Sequence, residues 1–197
     1  MKINYEVLFQ VATNRNFKVG DKIHFGNEFN GQMKIFNFTF NKDGKPLHEL
    51  GLKSSKQGII KDKKLLFEMS VALQNYDLFM REIALEEVRK EKFPNFPSRF
   101  KCMYLSDNKD IVIKNLNIMH YKFPENQYQA ISVKLNGEIF YAKDFGIGRY
   151  GLSFNEYKIL AEKYWSQNQN SNSPTKEILF VGDAEIVEVF KDTKIKT

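Results

Sequence analysis

The stretch Leu85–Asp107, LEEVRKEKFPNFPSRFKCMYLSD, decides how the chain is read. It starts as a helix, breaks at Pro94 and Pro97, passes Arg99 and ends as a short apolar strand. Upstream, Tyr76, Phe79, Met80, Ile83, Glu87 and Val88 follow the 3,4 spacing of one helix face, and only Glu87 among them is polar. Arg81, Glu82, Glu86, Arg89 and Lys90 fall mostly elsewhere, with Glu86 and Lys90 at a favourable i,i+4 distance. Neither proline continues a helix, and each pushes the residue before it toward extended geometry. Phe100, Cys102, Tyr104 and Leu105 then read as a buried strand. A long helix is therefore expected to bend onto a strand, with Arg99 at the corner. Taken alone, this arginine reads as a surface residue pairing with a helix glutamate.

Composition sets the outer limits. A chain of 197 residues, 42% hydrophobic and 27% charged, is expected to form one domain over residues 1–197. The 18 Phe and 9 Tyr suit a strand-rich core. A net charge of +6 permits a polyanionic partner without requiring one. Cys102 is the only cysteine, so no internal disulfide forms. Met1–Phe9 carries Glu6 and does not read as a signal peptide, and no apolar run reaches membrane-spanning length. These features predict a cytoplasmic protein away from membranes. His24, His48 and His120 lack companions at ligand spacing, so no metal is expected. Neither common Gly-rich phosphate loop occurs.

Along the chain, Tyr5, Val7, Phe9 and Val11 alternate with Glu6, Leu8, Gln10 and Ala12 in a first strand, with Gln10 on the face opposite Phe9. Thr13–Gln32 reads as a long functional or mobile loop with one apolar piece, Lys22–Phe25. Met33–Phe40 places three phenylalanines on one side and reads as a strand or a helix entry. Leu65–Glu91 holds the main helix, with a break expected near Ser70. Ser106 or Asp107 is expected to cap a helix over Asn108–Leu116, followed by a loop over Ile118–Glu125. Asn136-Gly137 and Gly182-Asp183 each read as the turn of a hairpin. Ser153 or Asn155 caps a last helix with Tyr157, Leu160, Ala161, Tyr164 and Trp165 on its apolar side. The total is about seven strands and about three helices, an α+β chain. Glu177 opens a strand on the face of Leu179 and Val181, where a carboxylate needs water or a partner. Glu185 and Glu188 are its competitors.

The order of elements, with the PSRxxCxY stretch at Pro97–Tyr104 and the EILFxG hairpin at Glu177–Gly182, resembles the ADP-ribosyltransferase superfamily over nearly the whole chain. The resemblance implies a split antiparallel β-sheet with flanking helices. It implies NAD as substrate and ADP-ribose transfer to nucleic acid or protein, in a setting such as a toxin or a phage-defence effector. Carried over, Tyr104 is the aromatic beside nicotinamide. Glu177 is the catalytic acid that steadies the oxocarbenium-like ribose. Gln10 stands where a histidine would hold a ribose hydroxyl, and its amide still donates a hydrogen bond. That departure leaves open a non-catalytic relative that binds a nucleotide or nucleic acid. Arg99 has no counterpart in the superfamily's motifs; a guanidinium there would hold the NAD pyrophosphate bidentately. The loop after the first strand would cover the ligand with Arg15, Asn16 and Asn27.

Overall fold

Two long strands run antiparallel for most of their length and carry the rest of the sheet: β4, Tyr128–Lys143, and β5, Lys176–Thr193. They belong to a computed structural model that describes residues 2–13, 15–30, 63–122, 127–143, 151–166 and 176–193. Both expected hairpins are absent. Asn136-Gly137 lies inside β4 and Gly182-Asp183 inside β5, and Gly137 pairs directly with Gly182. A side chain on either would not fit. A Cβ on Gly182 would stand 2.5 Å from the Asn136 carbonyl oxygen and 2.8 Å from the Gly137 Cα. Glycine here serves the approach of two backbones, a use that resembles a turn signal in sequence.

Among the described residues the other strands are β1 (Lys2–Thr13), β2 (Lys22–Phe25) and β3 (Met103–Leu105). Together they form one five-stranded antiparallel sheet in the order β1-β4-β5-β2, with β3 also on β5. β5 changes edge neighbour along its length, meeting β3 through Ile178–Phe180 and β2 through Gly182–Glu185. Just past β3, Ser106 exchanges two 2.9 Å backbone hydrogen bonds with Phe9 of β1. That bridge makes the sheet curl on itself. One face carries Leu8, Met103, Ile131, Val133, Phe180 and Ile186, all buried in the main core. On the opposite face Phe9, Tyr128 and Ala130 pack with Val112 and Leu116 of a helix over Lys109–Lys122, here called α2.

The expected strand at Phe100–Leu105 shrinks to β3, because the chain is still turning through Lys101. The Ser98 carbonyl accepts from Lys101 N at 3.0 Å and from Cys102 N at 3.1 Å. α2 runs past the expected loop at Ile118, and Asn108 rather than Ser106 or Asp107 caps it, accepting from Asp110 N at 2.9 Å and Ile111 N at 3.1 Å. The segment after β1 is stitched down. The Gln129 side chain holds Phe17 N at 2.8 Å, Gly20 N donates to the Ile186 carbonyl, and β2 pairs with β5. The expected Met33–Phe40 element lies outside the described residues.

The chain divides into two compact units: Met1–Glu28 with Asn95–Lys143 and Gln167–Thr197, and Phe29–Pro94 with Asp144–Ser166. The second holds α1, Lys63–Lys92, and α3, Phe154–Ser166. α1 is continuous through Ser70, whose hydroxyl donates back to the Leu66 carbonyl at 2.9 Å. Ser153 caps α3 with Glu156 in a reciprocal box: Ser153 N donates to the Glu156 carboxylate at 2.8 Å, and Glu156 N to Ser153 Oγ at 3.3 Å. That hydroxyl and amide hold the Glu156 carboxyl below its ordinary value. Trp165 Nε1 donates to the Leu85 carbonyl at 2.9 Å, and Tyr157 Oη to Asp77 at 2.7 Å, so α3 lies on α1.

Only part of the apolar face read from the sequence is covered: Val88 is buried and Phe79 and Ile83 are half-buried. Ala84, Leu85 and Val88 are buried, while Tyr76, Met80 and Glu87 are exposed. Four of the charged residues read as lying mostly off that face, Arg81, Glu82, Glu86 and Arg89, sit largely out of water. Glu82 is 1% exposed beside Arg81 at 2.9 Å, and Arg89 forks onto Glu86 at 2.9 and 2.8 Å. Opposite charges meeting pairwise make that burial tolerable.

Candidate functional site

The corner after Pro94 is tied by its own backbone. Phe100 N donates to Ser98 Oγ at 3.3 Å. The Arg99 carbonyl accepts from Tyr104 Oη at 2.7 Å and from the Cys102 thiol at 3.6 Å. Cys102 is fully buried. The guanidinium of Arg99 lies 4.9 Å from the centre of the Tyr104 ring, a cation–π stack. Phe96 packs at 5.8 Å against Phe140 of β4.

Arg99 is a buried residue, not a surface one, and its partner is a strand carboxylate rather than a helix glutamate. Its Nη1 donates to the Glu177 carboxylate. The Arg99 side chain is 6% exposed and that of Glu177 31%, so the pair has one dry end and one wet end. β-register explains the meeting. Tyr104 pairs with Leu179, and Leu179 shares a face of β5 with Glu177 two residues earlier. Tyr104 and Glu177 therefore stand on one face of the sheet, joined through one arginine.

Gln10 is not brought to them. It pairs with Ile131 on the main-core face, whereas Phe9, bridged to Ser106, belongs to the face of Tyr104. Arg15 and Asn16 lie exposed before β2, and Asn27 lies exposed just after it. Of the carboxylates weighed against Glu177, Glu185 pairs across the ladders with Lys22 and Lys134. Glu188 contacts Lys109 at 3.6 Å.

A second polar group was not anticipated. His24 Nδ1 meets Asp183 Oδ1 at 2.8 Å in a cleft of about 420 Å³ that Lys22, Lys134 and Glu185 also line. Asp183 is six residues along β5 from Glu177, roughly 20 Å at strand spacing, so the cleft is distinct from the Arg99 corner. The only signal in sequence was His24 inside an apolar piece, and its partner was hidden by the turn reading of Gly182-Asp183. Among the described residues, no three of His, Cys, Asp and Glu are grouped to hold a metal ion, and no helix is long and apolar enough to cross a membrane.

The family model described as "Protein of unknown function (DUF2441)" matches residues 8–192. The chain belongs to that family. A search of curated proteins found no match.

Proposed function

We propose that this DUF2441 chain is an NAD-dependent ADP-ribosyltransferase that passes ADP-ribose to a nucleic acid or a protein. The observation that carries the reading is the single-face arrangement of Tyr104 and Glu177, coupled by Arg99. In the proposed reaction the bond between nicotinamide and ribose breaks, and its electron pair leaves with nicotinamide. The ribose becomes cationic, and an acceptor oxygen or nitrogen then bonds to it and sheds a proton. One carboxylate near the ribose stabilises that charge, and one aromatic face walls the leaving ring. Glu177 and Tyr104 would take these roles, and the half-wet position of Glu177 leaves an approach for a ligand. The exchange of β5 from β3 to β2 along one edge supports an ADP-ribosyltransferase-like split sheet. The net charge of +6 suits a polyanionic acceptor or the dinucleotide itself.

One observation favours a second reading, a non-catalytic relative that binds a nucleotide or nucleic acid. Gln10, which would hold a ribose hydroxyl, belongs to the opposite face from Tyr104 and Glu177. Purified protein incubated with NAD, with and without nucleic acid, separates the two when free nicotinamide is measured by chromatography. The enzyme releases nicotinamide, and Glu177→Gln lowers the rate by about 10²–10³-fold. Protein that melts higher with NAD or nucleic acid yet releases no nicotinamide is the binder. Protein that neither binds nor consumes NAD ends the enzymatic reading.

A further inference from the structure

We propose that the His24 cleft is a second active site, one that cuts RNA by driving a ribose 2′-hydroxyl onto its own phosphodiester. It stands apart from the transferase reading, since Glu177 and Tyr104 take no part in it. Register builds the cleft as two polar rows on the sheet face turned away from the main core. Lys22 of β2 pairs with Glu185 of β5, which pairs with Lys134 of β4. His24 pairs with Asp183, which pairs with Asn136. The alternate residues between the rows, Ile23, Ala184 and Leu135, belong to the main core and hold the three strands from beneath. The cleft's volume of about 420 Å³ lies within the range of small-ligand sites.

The contact of His24 with Asp183 orients more than it stabilises. The two side chains are 51% and 69% exposed, and an ion pair so open to water contributes little to folding. It does set the ring: Nδ1 lies 2.8 Å from Asp183 Oδ1, which leaves Nε2 for a substrate. His24 and Glu185 are diagonal neighbours across β2 and β5, about 7–8 Å apart, a separation that brackets a phosphate. RNA carries its own nucleophile beside each phosphate, and such intramolecular attack reaches effective molarities of about 10⁵–10⁸ M. It then needs a base, an acid and positive charge. Glu185 takes the 2′-hydroxyl proton as O2′ bonds to phosphorus. The phosphorus–O5′ bond breaks, and O5′ leaves with its electron pair and takes the Nε2 proton of protonated His24. Lys22 and Lys134, on either side of Glu185, hold the other phosphate oxygens and steady their charge. The products are a 2′,3′-cyclic phosphate and a 5′-hydroxyl, and water returns the proton from Glu185 to His24. Asp183 is a positioning residue.

The purified chain is incubated with RNA, and with DNA of the same sequence, in EDTA and without NAD. RNA is expected to shorten to fragments ending in cyclic phosphate while DNA stays whole. His24→Ala and Glu185→Gln each lower the rate about 10²–10⁴-fold at the parent's melting temperature. Asp183→Asn lowers kcat and leaves KM, whereas Lys22→Ala changes both and lowers the salt slope of RNA binding by about one. RNA that the parent leaves whole, bound or not, overturns the proposal. So do DNA cut as fast as RNA, cleavage that EDTA abolishes, or a His24→Ala protein that cuts at the parent's rate, the mark of a co-purified nuclease.

Discussion

Gly137→Ala is expected to cost about 3 kcal/mol, more than an exposed strand position should. The figure follows from the crossing of β4 and β5. An added Cβ at residue 137 runs into the Val181 carbonyl oxygen and stands 2.9 Å from the Gly182 Cα. Neither obstacle is a side chain that could swing away. The two backbones must separate, which combines overpacking of about 1–3 kcal/mol with weakening of ladder hydrogen bonds at about 0.5–1.5 kcal/mol each. Gly182→Ala adds a second penalty. Its φ is 137°, so an L side chain there is strained by about 1–2 kcal/mol more.

Asn136→Thr supplies the control. Under a turn reading Asn136 is the residue that adopts positive φ, and losing it should hurt. Inside a strand and exposed, it should accept a β-branched residue within about 0.5 kcal/mol. Thermal melts of the three variants decide, with about 2–4 °C expected per kcal/mol for a chain of this size. A Gly137→Ala protein melting with the parent, or an Asn136→Thr protein melting lower than Gly137→Ala, would refute the crossing.

Two further predictions concern charge. Glu177→Ala leaves a guanidinium that is 6% exposed without this counter-charge and is expected to cost about 3 kcal/mol in urea unfolding, whereas Glu177→Gln keeps an acceptor and costs about 1 kcal/mol. In a double-mutant cycle with Arg99→Met the two effects should fail to add by at least about 1 kcal/mol, and additivity would dissolve the pair. Burial first, then the hydrogen bond to Asp77, pushes the Tyr157 phenol up to about 12. Its pKa is raised on folding, so the stabilisation is whole below the ordinary value of 10.0 and is lost as pH rises toward 12. Tyr157→Phe should flatten the fall in melting temperature over that window, and an unchanged slope would refute the assignment.

The sequence made the elements legible and left their partners hidden. Alternation located β1, β4 and β5, and the prolines located the Arg99 corner. The glycines misled because a turn and a close backbone crossing select the same residue. Periodicity found the apolar stripe of α1 but not how much of it is covered, nor that Glu82 and Glu86, which a 3,4 count places off the stripe, leave water by meeting arginines. Gln10 was placed opposite Phe9 correctly. Its separation from Tyr104 required the Phe9–Ser106 bridge, a contact between residues far apart in the chain. The Arg99–Glu177 pair spans 78 residues and follows from the β3–β5 register, for which the local sequence carries no sign.

The PSRxxCxY motif has a structural reason at every fixed position. Pro97 keeps the chain from re-entering a helix. Ser98 closes the turn through its carbonyl and its hydroxyl. Arg99 receives the Cys102 thiol and the Tyr104 hydroxyl on its carbonyl and sends its side chain to Glu177. A corner bonded in this way holds an aromatic ring and a carboxylate in fixed relation, which is the preorganisation that an oxocarbenium site needs. It would be equally worth keeping as a joint between β3 and β5. The two roles part at Glu177→Gln. The amide still accepts from Arg99, so the joint survives, but the negative charge is gone. A Glu177→Gln protein that melts close to its parent and releases no nicotinamide, beside a parent that does, would assign the carboxylate to chemistry and not to architecture.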